Sequence, residues 1–191
     1  MIYKFRNREE AGERLFKRLL RYQNALDTLI LSIPRGGVVL GSILSEKLNL
    51  PLDIILVKKI GHPSNPEFAI GAVAQDGETM IHSEFRSSIH PDYLLDEITR
   101  LRKNIQERSA MFRGAYPTPD VKGKAVILVD DGVATGFTVK AAIEWLRKQG
   151  AKKVILATPV APEETAQEMA DITDECVILQ VAEDFHAIGE F

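Results

Sequence analysis

Cysteine is nearly absent from this chain, which contains Cys176 and no other cysteine among its 191 residues. A single thiol excludes a disulfide within the chain and a metal cluster built from cysteines. The apolar residues 177–179 that follow it predict a buried strand. We therefore interpret Cys176 as a core residue and not as a reactive thiol.

Long apolar segments and a strong excess of one charge are also lacking. No apolar run of about 18 residues occurs, and the amino-terminal stretch MIYKFRNREE contains no apolar signal segment. The formal net charge of −3 excludes a general electrostatic attraction to nucleic acid or to membranes. These absences predict a cytoplasmic protein without a membrane anchor.

Hydrophobic residues make up 45% of the chain, and they recur in alternating strand-like and helix-like patterns. The predicted strands cover residues 28–33, 52–57, 125–129, 153–158 and 176–181. The predicted helices cover 7–23, 36–48, 91–112, a segment that has Thr135 and Thr138 at its start and runs to Gln149, and the segment after Pro162. Residues 69–74 and 79–82 predict a hairpin around an Asp-Gly turn. The alternation predicts one α/β domain over residues 1–191, with a mostly parallel sheet wound by helices on both faces.

The most informative stretch is residues 124–138, KAVILVDDGVATGFT. Its strand has no polar alternation, as in a central parallel strand, and ends directly in Asp130 and Asp131. Ligands of open α/β sheets bind beyond the carboxyl ends of the strands, where two carboxylates accept hydrogen bonds from a vicinal diol. A glycine-containing turn with hydroxyl side chains then opens a helix, whose free N–H groups attract phosphate. This order predicts a site for a phosphorylated sugar.

Two other nucleotide-binding loops are missing from the sequence. It contains neither the Gly-x-x-x-x-Gly-Lys loop of Walker type nor the dinucleotide pattern Gly-x-Gly-x-x-Gly. A pocket of the receiver or phosphatase kind, in which Asp130 or Asp131 acts as a nucleophile, stays open as a third interpretation. The phosphate-wrapping turn makes that interpretation the weaker one.

The string DDGVATGFT after a hydrophobic strand resembles the signature of type I phosphoribosyltransferases, which bind 5-phosphoribosyl-1-pyrophosphate (PRPP). The resemblance implies a five-stranded core with a small hood, here residues 1–7 and 181–191. It also implies Mg²⁺-dependent transfer of the 5-phosphoribosyl group to a nitrogenous base with release of pyrophosphate. Asp130 and Asp131 would hold the ribose hydroxyls. The 5-phosphate would bind Ala134, Thr135, Gly136, Phe137 and Thr138.

The string SIPRGG at the end of the first predicted strand resembles the pyrophosphate loop of the same family. That resemblance implies that Arg35, Gly36 and Gly37 bind the leaving pyrophosphate through a planar cation and exposed N–H groups. Lys58 and Lys59 follow the next predicted strand, and the family pattern favours Lys59 as a further pyrophosphate contact. Magnesium would be held largely by oxygens of the substrate and by water.

Two segments concern the lid and the acceptor base. Residues 61–67, GHPSNPE, are placed where type I enzymes carry a mobile flap, and either a lid or a plain loop fits them. The tail around Phe185 resembles the base-binding segment of purine enzymes, which slightly favours a purine, although an ordinary terminal segment fits it equally well. The family resemblance further implies a homodimer.

A PRPP or nucleotide sensor that regulates transcription is the alternative function within this fold. It needs an RNA or DNA surface, for which the cations of the predicted helix 91–112 and its end are candidates: Arg100, Arg102, Lys103, Arg108 and Arg113. Acidic residues alternate with these cations, so a solvated helix face explains them better. Nucleic acid is therefore not an expected partner.

Overall fold

Five α-helices and eight β-strands make up the described part of the chain, which comprises residues 4–86, 88–114 and 116–182 of the computed structural model. The helices are α1 (Arg8–Leu19), α2 (Gly36–Leu48), α3 (Pro91–Arg113), α4 (Phe137–Lys148) and α5 (Glu163–Ile172). The strands are β1 (Thr28–Ser32), β2 (Leu52–Ile54), β3 (Val57–His62), β4 (Asn65–Ala74), β5 (Thr79–Ile81), β6 (Ala125–Val129), β7 (Lys153–Pro162) and β8 (Glu175–Ala182). This order confirms the predicted α/β class.

The main sheet contains five parallel strands in the order β2-β1-β6-β7-β8, as the family resemblance implies. β1 and β6 are neighbours in register, so that Ser32 at the end of one strand pairs with Val129 at the end of the other. The loops that leave these two strands therefore start side by side at the carboxyl edge of the sheet. This edge is where ligands of open α/β sheets bind.

β6 is buried on both faces, which explains its unbroken apolar run. Val126 and Leu128 belong to a core that α4 and α5 complete on one face of the sheet. Ile127 and Val129 belong to a second core, which α1 and α2 complete on the other face. The strand that carries the two adjacent aspartates is thus held from both sides.

A second sheet corrects the prediction of one strand over residues 52–57. β2 ends at Ile54, and the chain then leaves the parallel sheet to form β3 in a three-stranded antiparallel sheet of order β3-β4-β5. Ile55 and Leu56 are buried at this transition, so the apolar pattern continues across it and conceals the boundary. As a consequence Lys58 and Lys59 lie within β3 and do not follow a strand. The hairpin predicted around Asp-Gly is confirmed as β4–β5.

α3 packs its apolar stripe on this second sheet. Leu101 and Ile105 of the helix are buried together with Ile60 of β3 and Ile70 of β4 in a third core. The second sheet and α3 therefore form one packed unit beside the carboxyl edge of the main sheet. Among the described helices, none is both long enough and apolar enough to span a membrane.

The predicted hood lies mostly outside the described residues, which exclude 1–3 and 183–191. Val181 and Ala182 fall within the predicted hood, but they are the last residues of β8 and pair with Ala161 and Pro162 of β7. They belong to the main sheet because β7 continues to Pro162, beyond its predicted end at residue 158.

Replacement of Ile127 by alanine tests the importance of the central strand. Ile127 is fully buried in the middle of β6, so the truncation leaves a cavity and should lower the free energy of unfolding by about 2–5 kcal/mol. Urea unfolding followed by circular dichroism measures this change. Leu26→Ala, at a fully exposed leucine, is the control and should change stability by less than about 0.5 kcal/mol. Equal effects of the two substitutions would contradict the proposed packing.

Candidate functional site

A cleft of about 400 Å³ opens at the carboxyl edge of the main sheet. Its walls come from the loop after β1, the loop after β6, the start of β3 and one side chain of α3. Most of the residues predicted for the site line this cleft: Arg35, Lys59, Asp130, Asp131, Ala134, Thr135, Gly136, Phe137 and Thr138. The fold thus brings together motifs that lie far apart in the sequence.

The two adjacent aspartates occupy different electrostatic environments. Burial raises the pKa of Asp130 to about 8, and the negative charge of Asp131 adds to this shift. The Asp130 carboxyl group also accepts a hydrogen bond from the Asp131 N–H at 2.9 Å. Both effects favour the protonated form of Asp130 and oppose a second negative charge beside Asp131.

Arg8, a residue without any signal in the sequence, binds the second aspartate. Its Nε and Nη2 atoms donate to Oδ2 of Asp131 at 3.0 and 2.6 Å. Arg8 is the first residue of α1 and is about half exposed, whereas the Asp131 side chain is largely buried. The ion pair connects the amino-terminal helix to the cleft.

The loop after β1 lies directly against the aspartates. A side chain at Gly36 would place its Cβ 1.7 Å from Oδ2 of Asp131, and one at Gly37 would approach the Val129 carbonyl oxygen to 2.6 Å. Only glycine permits this contact. Arg35 precedes them, lines the cleft and is exposed, and the Pro34–Arg35 peptide bond is cis. Gly36 and Gly37 begin α2 behind it.

The loop of residues 134–138 is anchored by α5. The Thr165 hydroxyl donates to the Ala134 carbonyl oxygen at 2.7 Å, and Gly136 adopts a φ of 72° as it caps α4. The left-handed conformation of Gly136 turns the chain sharply into the helix. The first N–H groups of α4 therefore lie at the cleft, where they can bind an anion.

Arg108 of α3 also lines the cleft. The alternating charges of its helix predict a solvated cation at this position and therefore give no sign of this role. Lys58 lies in the same cleft, and its pKa is lowered by burial and by the positive charge of Arg108. Lys59, which the family pattern favours, lines the cleft next to Lys58. The register of β3 thus brings both lysines to the site.

The cations of α3 do not form one common surface. Arg100 pairs with Glu97, and Arg102 donates to the Gly77 carbonyl oxygen at 2.9 Å. Arg113 is buried and bound to Asp53, and Arg108 faces the cleft; Lys103 is exposed. This distribution weakens the interpretation of α3 as a nucleic-acid surface.

Residues 61–67 form the tip of the β3–β4 hairpin. Next to this tip, the Phe68 ring packs edge-on against Phe137 of the signature loop, with ring centroids 6.4 Å apart. Phe68 also contacts the rings of His62 and Phe85. An aromatic cluster thus connects the hairpin with the start of α4.

Two further expectations concern the base and the metal. Phe185, the predicted base-stacking residue, lies outside the described residues. In the described ranges there is no group of three or more His, Cys, Asp or Glu side chains that could hold a metal ion. Asp130 and Asp131 are the carboxylates that line the cleft, and Mg²⁺ commonly uses one or two carboxylates together with substrate phosphates and water.

The site geometry agrees with a comparison against protein families. The model of the phosphoribosyl transferase domain matches residues 1–190. The chain belongs to the phosphoribosyl transferase family. Among curated proteins, it is 35% identical over 188 residues to a Mycobacterium tuberculosis protein provisionally named as a phosphoribosyl transferase. The match covers 97% of this chain, which spans only 42% of the length of that relative.

Solved structures of the family share the fold. The chain is similar to TT1426 from Thermus thermophilus, with a TM-score of 0.88, 37% identity and coverage of 98% of this chain and 89% of that one. A purine phosphoribosyltransferase from Pyrococcus horikoshii matches with a TM-score of 0.51 and 20% identity, over 94% and 92% of the two chains. The latter likeness shows the fold alone, which is that of type I phosphoribosyltransferases.

The raised pKa of Asp130 predicts a pH-dependent effect of the substitution Asp130→Asn. Between about pH 4 and pH 8 the native state holds a proton on Asp130 that the unfolded state releases, so wild-type stability falls as the pH rises through this window. Asparagine mimics the protonated acid and does not titrate. Asp130→Asn should therefore gain stability relative to the wild type, by up to about 1.4 kcal/mol per pH unit.

Urea unfolding at several pH values between 5 and 9 (about one unit apart) measures this difference. Asp96→Asn, at an exposed residue of α3, is the matched control and should show a constant offset from the wild type. A constant offset for Asp130→Asn as well would contradict the protonated state of Asp130.

Proposed function

We propose that this domain transfers the 5-phosphoribosyl group of PRPP to a nitrogenous base and releases pyrophosphate. The observation that supports this proposal is the composition of one cleft. A loop that presents N–H and hydroxyl groups, an acidic pair and several cations all line it. PRPP has the matching parts, which are a phosphate monoester, a ribose diol and a pyrophosphate.

The acidic pair would bind the ribose. Ionised Asp131 accepts hydrogen bonds from a ribose hydroxyl and lends negative potential to the oxocarbenium-like transition state. Protonated Asp130 can donate a hydrogen bond to a hydroxyl oxygen as well as accept one. Arg8 keeps the Asp131 carboxylate in place, so that little reorganisation is needed when the sugar binds.

The two phosphate-bearing ends would bind different parts of the cleft. The 5-phosphate would bind the N–H and hydroxyl groups of residues 134–138 at the start of α4. The departing pyrophosphate would bind Arg35, Lys59 and the N–H groups of Gly36 and Gly37. These contacts strengthen as negative charge develops on the leaving group, and they therefore favour bond cleavage.

The acidic pair also fits a role in holding Mg²⁺. Asp130 and Asp131 offer the hard oxygen ligands that this ion prefers, and the substrate supplies the remaining phosphate oxygens. When bound, Mg²⁺ supplies positive charge that neutralises the pyrophosphate. Coordination by Asp130 would release its proton, because a nearby cation lowers the pKa of a carboxyl group.

The acceptor base is proposed only as a class. The segment around Phe185 resembles the base-binding segment of purine enzymes, which supports a base-stacking role for Phe185 and slightly favours a purine as the acceptor. Solved neighbours of the same fold include proteins titled purine and hypoxanthine phosphoribosyltransferase. A homodimer is the proposed assembly, again on family resemblance.

The alternative is a PRPP or nucleotide sensor of the same fold with little transferase activity. A 99-residue segment is 33% identical to a Brevibacillus brevis protein named bifunctional protein PyrR, a name that allows a second role besides one activity. The scattered roles of the α3 cations argue against a nucleic-acid surface on that helix. An aspartyl nucleophile is disfavoured, because burial raises the pKa of the Asp130 carboxyl group and Asp131 is paired with Arg8.

Incubation with PRPP, Mg²⁺ and a panel of purine and pyrimidine bases tests the proposal by pyrophosphate release. We expect release with at least one base, and we expect Asp131→Asn to lower the turnover by at least about 100-fold because a preorganised contact to the ribose is lost. Calorimetry with PRPP, combined with the pyrophosphate assay, separates the enzyme from the sensor, because both bind PRPP but the sensor releases no pyrophosphate with any base.

Asp96→Asn is the matched control for that substitution, because Asp96 is exposed on α3 and should leave the turnover unchanged. The unfolding free energy of Asp131→Asn is measured in parallel, so that loss of activity is not confused with loss of fold. An active Asp131→Asn variant would remove the ribose contact from the proposal.

A further inference from the structure

Lys58 and Arg108 form a pair of like charges inside the cleft. They come from different elements, β3 and α3, and both side chains are partly buried. The charge of Arg108 is close enough to lower the pKa of Lys58. Two cations that line one cleft and have lost part of their hydration repel each other, and this arrangement costs free energy unless an anion binds near both.

Neither side chain has a carboxylate partner among the described residues. Arg108 differs from the other arginines of α3, each of which binds a carboxylate or a carbonyl oxygen of a described residue. Arg100 pairs with Glu97, Arg102 donates to a carbonyl oxygen, and Arg113 pairs with Asp53. The helix therefore satisfies its other arginines within the protein and directs Arg108 alone, of these four, into the cleft.

The charge distribution in the cleft indicates which anion fits this pair. The loop of residues 134–138 offers N–H groups and hydroxyls without a cation of its own, and the nearby Lys140 is paired with Glu168 at 2.5 Å. Such a loop suits a phosphate monoester. Lys58 and Arg108 suit a more highly charged group, and the planar guanidinium of Arg108 can bind two phosphate oxygens at once.

We propose that Arg108 and Lys58 bind the pyrophosphate group of PRPP, which extends the site of the Arg35 loop onto β3 and α3. This inference rests on the proposed function and adds a residue that lies outside every recognised motif of the chain. An anionic group on the acceptor base is the other source of the same chemistry. The experiment below distinguishes the two sources.

Isothermal titration calorimetry with three ligands tests the assignment: inorganic pyrophosphate, PRPP and ribose 5-phosphate. Arg108→Gln should weaken the binding of pyrophosphate and of PRPP by about 10- to 100-fold, because charge-assisted hydrogen bonds are lost. It should change the binding of ribose 5-phosphate by less than about 2-fold, because the 5-phosphate binds elsewhere. Lys58→Gln should show the same selectivity.

Lys103→Gln is the matched control, because Lys103 is an exposed cation on the same helix, and it should leave all three affinities unchanged. Arg108→Lys keeps the charge but loses the planar geometry, so it should restore part of the pyrophosphate affinity. This partial rescue would not occur if Arg108 merely supported the fold.

Three results would overturn the inference. If Arg108→Gln bound pyrophosphate as tightly as Lys103→Gln does, Arg108 would not belong to the site. If Arg108→Gln lost as much affinity for ribose 5-phosphate as for pyrophosphate, the contact would not be selective for pyrophosphate. If the Arg108→Gln and Lys58→Gln variants bound pyrophosphate normally but showed a raised KM only for acidic bases, Lys58 and Arg108 would bind the acceptor base instead. If the wild type bound neither PRPP nor pyrophosphate, the proposed function itself would be wrong. If the wild type binds PRPP, a negative result for the variants contradicts only the assignment of Arg108 and Lys58.

Discussion

The contact between Asp131 and its neighbours is the constraint on which the rest of the site depends. Its carboxylate lies so close to Gly36 that no side chain fits there, and Arg8 binds the same oxygen from the start of α1. Three segments distant in sequence thus converge on one charged group. Burial and the charge of Asp131 together raise the pKa of the neighbouring Asp130, which opposes a second charge in this crevice.

This constraint is tolerable because the supporting strand is held firmly in place. β6 is covered by helices on both faces, and its neighbours β1 and β7 hold it in register. The energetic cost of crowding acids and glycines at its end is therefore offset by the large apolar surface buried along the strand. Preorganised charges on a rigid strand suit a reaction whose transition state is stabilised mainly by electrostatics.

The cleft combines acidic and basic groups, and this combination is what favours a phosphorylated sugar as its ligand. A loop of peptide N–H groups, an acidic pair and a group of cations surround one space of about 400 Å³. The second sheet and α3 are what complete it, since they supply Lys58, Lys59 and Arg108. The aromatic contact between Phe68 and Phe137 connects this added unit with the phosphate loop, so that the two parts pack as one site.

Local patterns in the sequence by themselves determined the fold class and the bounds of β6 and α2. They also determined that the two adjacent aspartates follow β6 directly. Such patterns are sufficient here because hydrophobic periodicity and turn chemistry act over short distances. They failed at residues 55–59, where an apolar run continues while the chain passes from one sheet to the other. Only the tertiary structure decided that Arg8 binds Asp131, 123 residues away, and that Arg108 and Lys58 line the same cleft. An arginine on an amphipathic helix looks the same in sequence whether it faces solvent or a cleft. The packing of α1 on the main sheet and of α3 on the second sheet makes that difference.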